Sequence, residues 1–164
     1  MARWSVGRGT FTPVAVADTT AFTDGGYFAI QGGSSTQKTN VLEVFLTGQA
    51  TSSAAAQLML ARDSTVGATL SVGLGPAALD PASAALAAPL VAFSTATTKP
   101  QRSSTLQLLN CSFNAFGGLL RWVAAPGEEI GMLGNTASLG ELSISHLAGG
   151  TPGLIGATMI LETM

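Results

Sequence analysis

Residues 117 to 134 read GGLLRWVAAPGEEIGMLG and carry the strongest β-strand pattern in the chain. Trp122 and its even-numbered neighbours alternate with Arg121 and its odd-numbered neighbours, so this segment has two faces of unequal polarity, as a strand in a sheet does. Pro126 fixes φ at the first corner of a turn, and Gly127 tolerates the positive φ that a type II turn requires next. The pattern predicts a strand, a tight turn and a second strand, which we interpret as a β-hairpin.

Similar short strand patterns recur along the chain, about nine or ten in all, separated by turns rich in glycine and proline. One segment differs, because Asp80 and Pro81 precede an alanine-rich run that ends at Ala88. An N-cap carboxylate, a proline at the first helical position and repeated alanine are typical of a short helix. Regularly spaced strands without an internal repeat favour a jelly roll. The sequence therefore predicts an all-β, jelly-roll-like β-sandwich with one short helix.

The first residues are predicted to form an arm. Arg3, Trp4 and Arg8 stand among serine and glycine in a segment without a strand pattern. Tryptophan and arginine dominate binding hot spots, so such an arm suits docking onto a neighbouring subunit. We therefore divide the chain into an N-terminal arm, residues 1–11, and a single β-sandwich domain, residues 12–164. A frayed terminus without a binding role is the equal alternative.

The composition indicates self-association. Charged residues make up 10% of the 164 residues and apolar residues 46%, and the mean hydropathy is +0.41. Soluble domains carry about 25% charged residues. A monomer with so few charges exposes large neutral areas, which normally mark a surface covered by a partner or by copies of the same chain. We expect an obligate homo-oligomer, preferably a trimer, with Lys99 and Arg102 of the polar loop 95–104 as further partner-binding candidates.

Membrane and nucleic-acid partners are not expected. The apolar stretch 84–93 is interrupted by Pro89 and is shorter than the roughly 20 residues of a spanning helix. The net charge is −2 and the isoelectric point is near 5.2, so no basic field holds nucleic acid. We interpret the lone Cys111 as a small buried hydrophobe rather than a nucleophile. The lone thiol and the lack of a secretory segment favour assembly in a cytoplasm.

Few residues are suited to chemistry. His146 is the only histidine, so a multi-histidine metal site cannot form, and we interpret it as an exposed or hydrogen-bonded structural residue. Paired carboxylates occur only at Glu128 and Glu129, which are adjacent in the predicted turn and do not converge as glycosidase carboxylates do. No glycine-rich run continues into a phosphate-loop motif. We therefore expect no enzyme activity, no metal and no cofactor.

Two C-terminal segments carry a family resemblance. The sequences RWVAAPGEE at 121–129 and TPGLIGA at 151–157, on a small, charge-poor chain rich in Ala, Thr, Ser and Gly, resemble the small virion proteins of tailed bacteriophages. Among these, the chain is most similar in size and build to capsid cement or decoration proteins. The resemblance implies a sandwich subunit of the virion, often a trimer or dimer, that binds the major capsid protein and reinforces the head. It carries over no binding residues.

Three other functions stay open. A trimeric receptor-binding head of the tumour-necrosis-factor or complement C1q shape has the same strand count, and it should gather aromatic residues at the trimer axis. A carbohydrate-binding module needs exposed aromatic platforms, for which two tryptophans and one tyrosine are few. A tail or baseplate component is equally compatible with the composition.

Overall fold

The computed structural model describes residues 2–17, 19–70, 74–83, 86, 90–147 and 152–164, and within them the chain forms thirteen β-strands and no helix. The strands are β1 (Arg3–Phe11), β2 (Phe28–Gln31), β3 (Lys38–Gly48), β4 (Ala55–Thr65), β5 (Ala68–Leu70), β6 (Ala77–Ala78), β7 (Val91–Phe93), β8 (Ala96–Thr98), β9 (Gln101–Asn114), β10 (Leu119–Val123), β11 (Ile130–Leu133), β12 (Glu141–His146) and β13 (Ile155–Thr163).

The strands form two antiparallel sheets. Sheet I has the order β10-β3-β13-β1-β6, with β11 also paired to β3, and sheet II has the order β7-β2-β12-β4-β9. The pairings are nested along the chain, because β1 pairs with β13, β2 with β12, β3 with β10 and β4 with β9. Folding one long two-stranded ribbon over itself produces this nesting, which is the topology of a jelly roll. The predicted jelly-roll-like β-sandwich is confirmed.

The main core lies between the two sheets and follows from strand register. Val44 of β3 is opposite Met159 on one neighbouring strand and Trp122 on the other, so these three side chains point to the same face of sheet I. Leu58 and Ile144 face them from sheet II. The apolar alternation seen in the sequence is therefore the inward-facing half of each strand.

A second, smaller core covers the outer face of sheet II. Phe22 and Tyr27 stack with ring centroids 5.1 Å apart, and Phe93 meets Tyr27 edge-on at 5.9 Å. Val16, Ala29 and Ala96 complete the cluster, which includes residues from the loop before β2 and from the ribbon of β5 and β8. Among the described residues, sheet I has no comparable cluster on its outer face.

Strand β1 contradicts the predicted N-terminal arm. It pairs with β13 along most of its length, and the side chain of Trp4 is only 6% exposed. Gly7 does not indicate flexibility, because a Cβ there would come within 2.6 Å of Thr158 Oγ1. Glycine is instead the residue that the close approach of the two strands requires. The domain boundary at residue 11 is wrong, since residues 3–11 belong to the sandwich.

The predicted turn is confirmed, but the predicted hairpin is wrong. Glu128 N donates to Ala125 O at 2.9 Å, and Gly127 has a φ of 87°, as a type II turn requires. However, β10 pairs with the second half of β3 and β11 with its first half. Because β3 has eleven residues, each short strand satisfies only part of its edge. The turn therefore connects two short strands that pair, one after the other, with the same edge of β3.

The predicted helix at residues 80–88 is not found where the structure describes that segment. Asp80 O accepts a hydrogen bond from Ser83 N at 2.9 Å, and Asp80 Oδ1 accepts one from Ala82 N at 2.9 Å. The aspartate thus closes a local turn instead of capping a helix. Beyond residue 83 only Leu86 of the prediction is described, and the others lie outside the described residues. No described helix is long and apolar enough to cross a membrane.

Candidate functional site

The outer face of sheet I around β10, which we call the β10 face, is the candidate interaction surface. Inward-facing Val44 and Leu46 alternate on β3 with residues that point away from the main core, and the register extends this outer row onto β10 and β13. The face comprises Glu43, Phe45, Thr47, Leu119, Arg121, Val123, Thr158 and Ile160.

The β10 face is neutral and partly apolar. Arg121 Nη2 lies 2.6 Å from Glu43 Oε2, and the same guanidinium group lies 5.2 Å from the ring centroid of Phe45. The positive and negative charges of the face thus neutralise each other. Leu119 is 68% exposed and Val123 is 51% exposed. An exposed surface with large apolar side chains and no net charge is suited to being covered by protein.

Strand β10 is also a sheet edge. It is the terminal strand of sheet I, so one side of its backbone has no neighbouring strand among the described residues. Unpaired N–H and C=O groups at an edge form a template for pairing with another chain. Phe116, which precedes β10, adds a further exposed aromatic side chain at one end of this edge.

Two of the predicted partner-binding residues are buried. Trp4 packs in sheet I, and Arg102 is fully enclosed, where its guanidinium donates to Ser145 Oγ at 2.8 Å and to Val16 O at 2.5 Å. Trp4 was expected on the surface as the aromatic anchor of the arm, and Arg102 as part of the polar loop 95–104. That prediction is wrong for these two residues, since both side chains are buried.

The other three predicted residues lie on different parts of the surface. Arg3 Nε is 3.5 Å from Glu162 Oε1 on sheet I, and Lys99 Nζ is 2.6 Å from Asp24 Oδ2 in the layer over sheet II. The guanidinium of Arg8 lies 5.6 Å from the ring centroid of Phe11. The structure does not bring these residues together into one site, and their role in partner binding stays a prediction.

A buried pair of carboxylates, Asp63 and Glu141, lies beneath the layer that covers sheet II. Glu141 accepts hydrogen bonds from Gly67 N at 3.0 and 3.1 Å and from Gln31 Nε2 at 2.8 Å. Asp63 Oδ1 accepts one from Ser143 Oγ at 2.6 Å. Among the described residues, Asp63 Oδ2 has no donor to accept from.

Burial favours the protonated form of this pair. Burial raises the pKa of Glu141 to about 7. Burial, followed by the charge of Glu141, raises the pKa of Asp63 well above its usual range, although the Arg102 guanidinium acts in the opposite direction. Asp63 Oδ2 is the atom left to hold the proton, which it donates to Glu141. Both residues are fully buried and do not contact solvent in this conformation. The hydrogen bonds of Glu141 connect β12 to the turn at Gly67.

His146 differs from its predicted environment. Its side chain is fully buried, and neither ring nitrogen has a hydrogen-bond partner of normal geometry among the described residues. Burial lowers the pKa of His146, an effect that the nearby backbone of Leu147 and Ala55 offsets only in part. Cys111 is half-buried, and burial raises the pKa of its thiol. No three His, Cys, Asp or Glu side chains of the described residues are grouped as a metal site would need.

The sequence interpretation missed the Asp63 and Glu141 pair. A usable signal was present, because Glu141, Ser143 and Ser145 alternate on one face of β12 while Leu142 and Ile144 occupy the other. That pattern is typical of a strand with a solvated outer face. Every residue of β12 is nevertheless buried, because the second core covers this sheet.

No family model and no curated protein matches the chain. Among solved structures, it is similar to a cleaved adhesin domain of Lys-gingipain from Porphyromonas gingivalis, with a TM-score of 0.31 and 9% identity over 82% of this chain and 62% of that one. The globular domain of zebrafish complement 1qA protein gives a TM-score of 0.26 and 12% identity over 98% and 95% of the two chains. The VP2 subviral particle of infectious bursal disease virus gives a TM-score of 0.22 and 8% identity over 98% of this chain and 41% of that one.

These similarities carry no argument about function. The chain spans about three fifths of the length of the gingipain domain, and the TM-scores are low throughout. None of them bears on the resemblance to bacteriophage virion proteins.

Proposed function

We propose that this protein is a non-enzymatic structural subunit that self-associates through the β10 face and reinforces a bacteriophage head as a cement or decoration protein. One observation supports the proposal most strongly: the outer face of sheet II is covered by the chain itself, and the outer face of sheet I is not. The chain covers sheet II with its own second core, whereas it leaves Leu119 and Val123 exposed on sheet I, beside the paired charges of Arg121 and Glu43.

An interface needs only a small share of the surface of this chain. A stable interface buries about 800 Å² on each partner, which is roughly a ninth of the 7277 Å² that this chain exposes. Apolar area removed from water stabilises by about 25 cal/mol per Å² before the cost of association is subtracted. Exposed Leu119 and Val123 therefore make the β10 face a better candidate for that area than the charged surface around Lys99.

The assignment to a virion rests on the resemblance of the two C-terminal segments and on the low charge of the chain. A trimer is the preferred state, and it needs a heterologous interface, because a three-fold axis brings two different patches of the same subunit together. The β10 face supplies one of these patches. The major capsid protein is the proposed second partner, and neither a membrane nor nucleic acid is part of the proposal.

Sedimentation velocity at micromolar concentration tests the self-association. We expect an oligomer for the wild-type chain and a folded monomer for the double variant Leu119→Lys and Val123→Lys. The matched control is Leu79→Lys with Leu139→Lys, because these leucines are 54% and 53% exposed and lie outside the β10 face. This control should sediment as the wild type does. A monomeric wild-type chain, or equal dissociation of both double variants, would contradict the proposal.

A further inference from the structure

A cavity of about 250 Å³ opens between β9 and β10, where the edges of the two sheets part. Leu58, Leu60 and Ile144 of sheet II form its floor, and the side chains of Leu109 and Trp122 stand on the two edge strands beside it. Leu109 and Trp122 are only partly buried and pack against the main core. The cavity is therefore an extension of the core that the two sheets leave open on one side.

The lining selects an apolar ligand. Protein interiors are close-packed, and voids much larger than a water molecule are few. A water molecule needs two to four polar partners to be held in a cavity, and this lining is almost wholly apolar. At the rim, Arg121 is already paired with Glu43, so its charge is neutralised and does not favour an ion in the cavity. A neutral molecule thus suits the cavity better than a charged one.

We propose that this cavity binds a neutral, mainly apolar small molecule of about eight or nine non-hydrogen atoms. This size follows from the volume, since a water-sized group occupies about 30 Å³. The backbone groups at the free edges of β9 and β10 lie at the mouth, where they can meet one polar end of the ligand.

The cavity shares only Arg121, at its rim, with the β10 face. Leu120 and Trp122 point from β10 toward the cavity, whereas Leu119 and Val123 point from the same strand to the outer face. The proposal therefore does not depend on self-association. A ligand can fill the cavity in a monomer or in an oligomer.

Cys111 provides a built-in reporter, because it lines the cavity and is the only cysteine. The probe is octan-1-ol, and the readout is the rate at which a thiol-specific disulfide reagent modifies the native protein. At a probe concentration ten times its dissociation constant, occupancy should slow the reaction roughly tenfold and raise the melting temperature. Octanoate, which has a similar chain with a charge, should give less protection at equal concentration.

Two variants that fill the cavity and one control variant separate cavity binding from other effects. Leu120→Trp narrows the cavity from an edge strand and should abolish protection, and Leu109→Trp does the same from the opposite wall if the first variant fails to fold. Leu79→Trp adds the same side chain at an exposed position away from the cavity and should behave as the wild type. Protection that persists in the filled variants would overturn the proposal. So would an absence of protection, or a thiol shielded only by a second copy and released on dilution.

Discussion

Replacing Asp63 by asparagine removes the shared proton while keeping the shape of the side chain. In the wild-type protein Asp63 Oδ1 accepts a hydrogen bond from Ser143, and Oδ2 is left to donate its proton to Glu141. An asparagine does both without a titrating group, because its oxygen accepts and its NH₂ group donates. We expect the Asp63→Asn variant to fold and to lose most of the pH dependence of its stability near neutral pH.

The magnitude follows from proton linkage. Because the pKa of Asp63 is raised well above its unfolded value, the folded state holds a proton that the unfolded state has released by neutral pH. Stability therefore falls as the pH rises, by ~1.4 kcal/mol per pH unit for one retained proton. Between about pH 6.5 and pH 8.5 the stability of the wild-type protein should fall with a slope up to this limit, and the slope for Asp63→Asn should be clearly smaller.

Other groups contribute little in this window. The pKa of Glu141 is about 7, so the release of its proton lowers the stability further only in the lower part of this pH range. His146 has a lowered pKa and stays neutral in the folded state across the window, and the raised pKa of the Cys111 thiol keeps it protonated. The hydroxyl of Tyr27, whose pKa is also raised, does not ionise there.

Urea unfolding at several pH values between these limits measures the effect, with Glu141→Gln as the matched variant. Gly67 N lies 3.1 Å from Glu141 Oε1, so an amide NH₂ group in that place sets two donors against each other and costs about 1 to 3 kcal/mol. Two results would refute the reasoning. One is a wild-type stability that is flat from pH 6.5 to 8.5, and the other is a slope for Asp63→Asn equal to that of the wild type.

Three further substitutions are tested by urea unfolding at neutral pH. Trp4→Ala should cost about 3 to 5 kcal/mol because the indole is part of the sandwich, and a loss below about 1 kcal/mol would restore the arm interpretation. His146→Leu should leave stability unchanged or raise it by about 1 kcal/mol, since the ring nitrogens are unpaired, and a clear loss would show a hydrogen bond that matters. Gly127→Ala should cost about 1 kcal/mol because its φ is 87°, and a neutral effect would argue against the turn.

The fold class could be predicted from the sequence because strand alternation is a local property. The run that contains Val44 and Leu46 places every second residue in the core, and the turn at Gly127 needs only its own four residues. Strand pairing is not local. The two arms around Gly127 pair with β3 instead of each other, which no pattern within residues 117–134 specifies.

The N-terminal strand was missed for a related reason. Glycine and serine lower the strand signal of β1, but Gly7 is required by the closeness of Thr158 on a strand from the other end of the chain. Leu119 and Val123 could be identified as the row opposite Trp122, yet only the tertiary structure shows that this face is left uncovered while that of sheet II is covered. The pairing of Asp63 with Glu141 likewise depends on contacts between strands distant in sequence.

The most direct test of the central claim is the amount of this protein on purified phage particles. We expect it to co-purify with the heads at a fixed ratio to the major capsid protein. The Leu119→Lys and Val123→Lys double variant should be lost from them while remaining folded, and the Leu79→Lys and Leu139→Lys control should be retained. A wild-type protein that assembles into oligomers but is absent from purified particles would contradict its assignment as a structural subunit of the head.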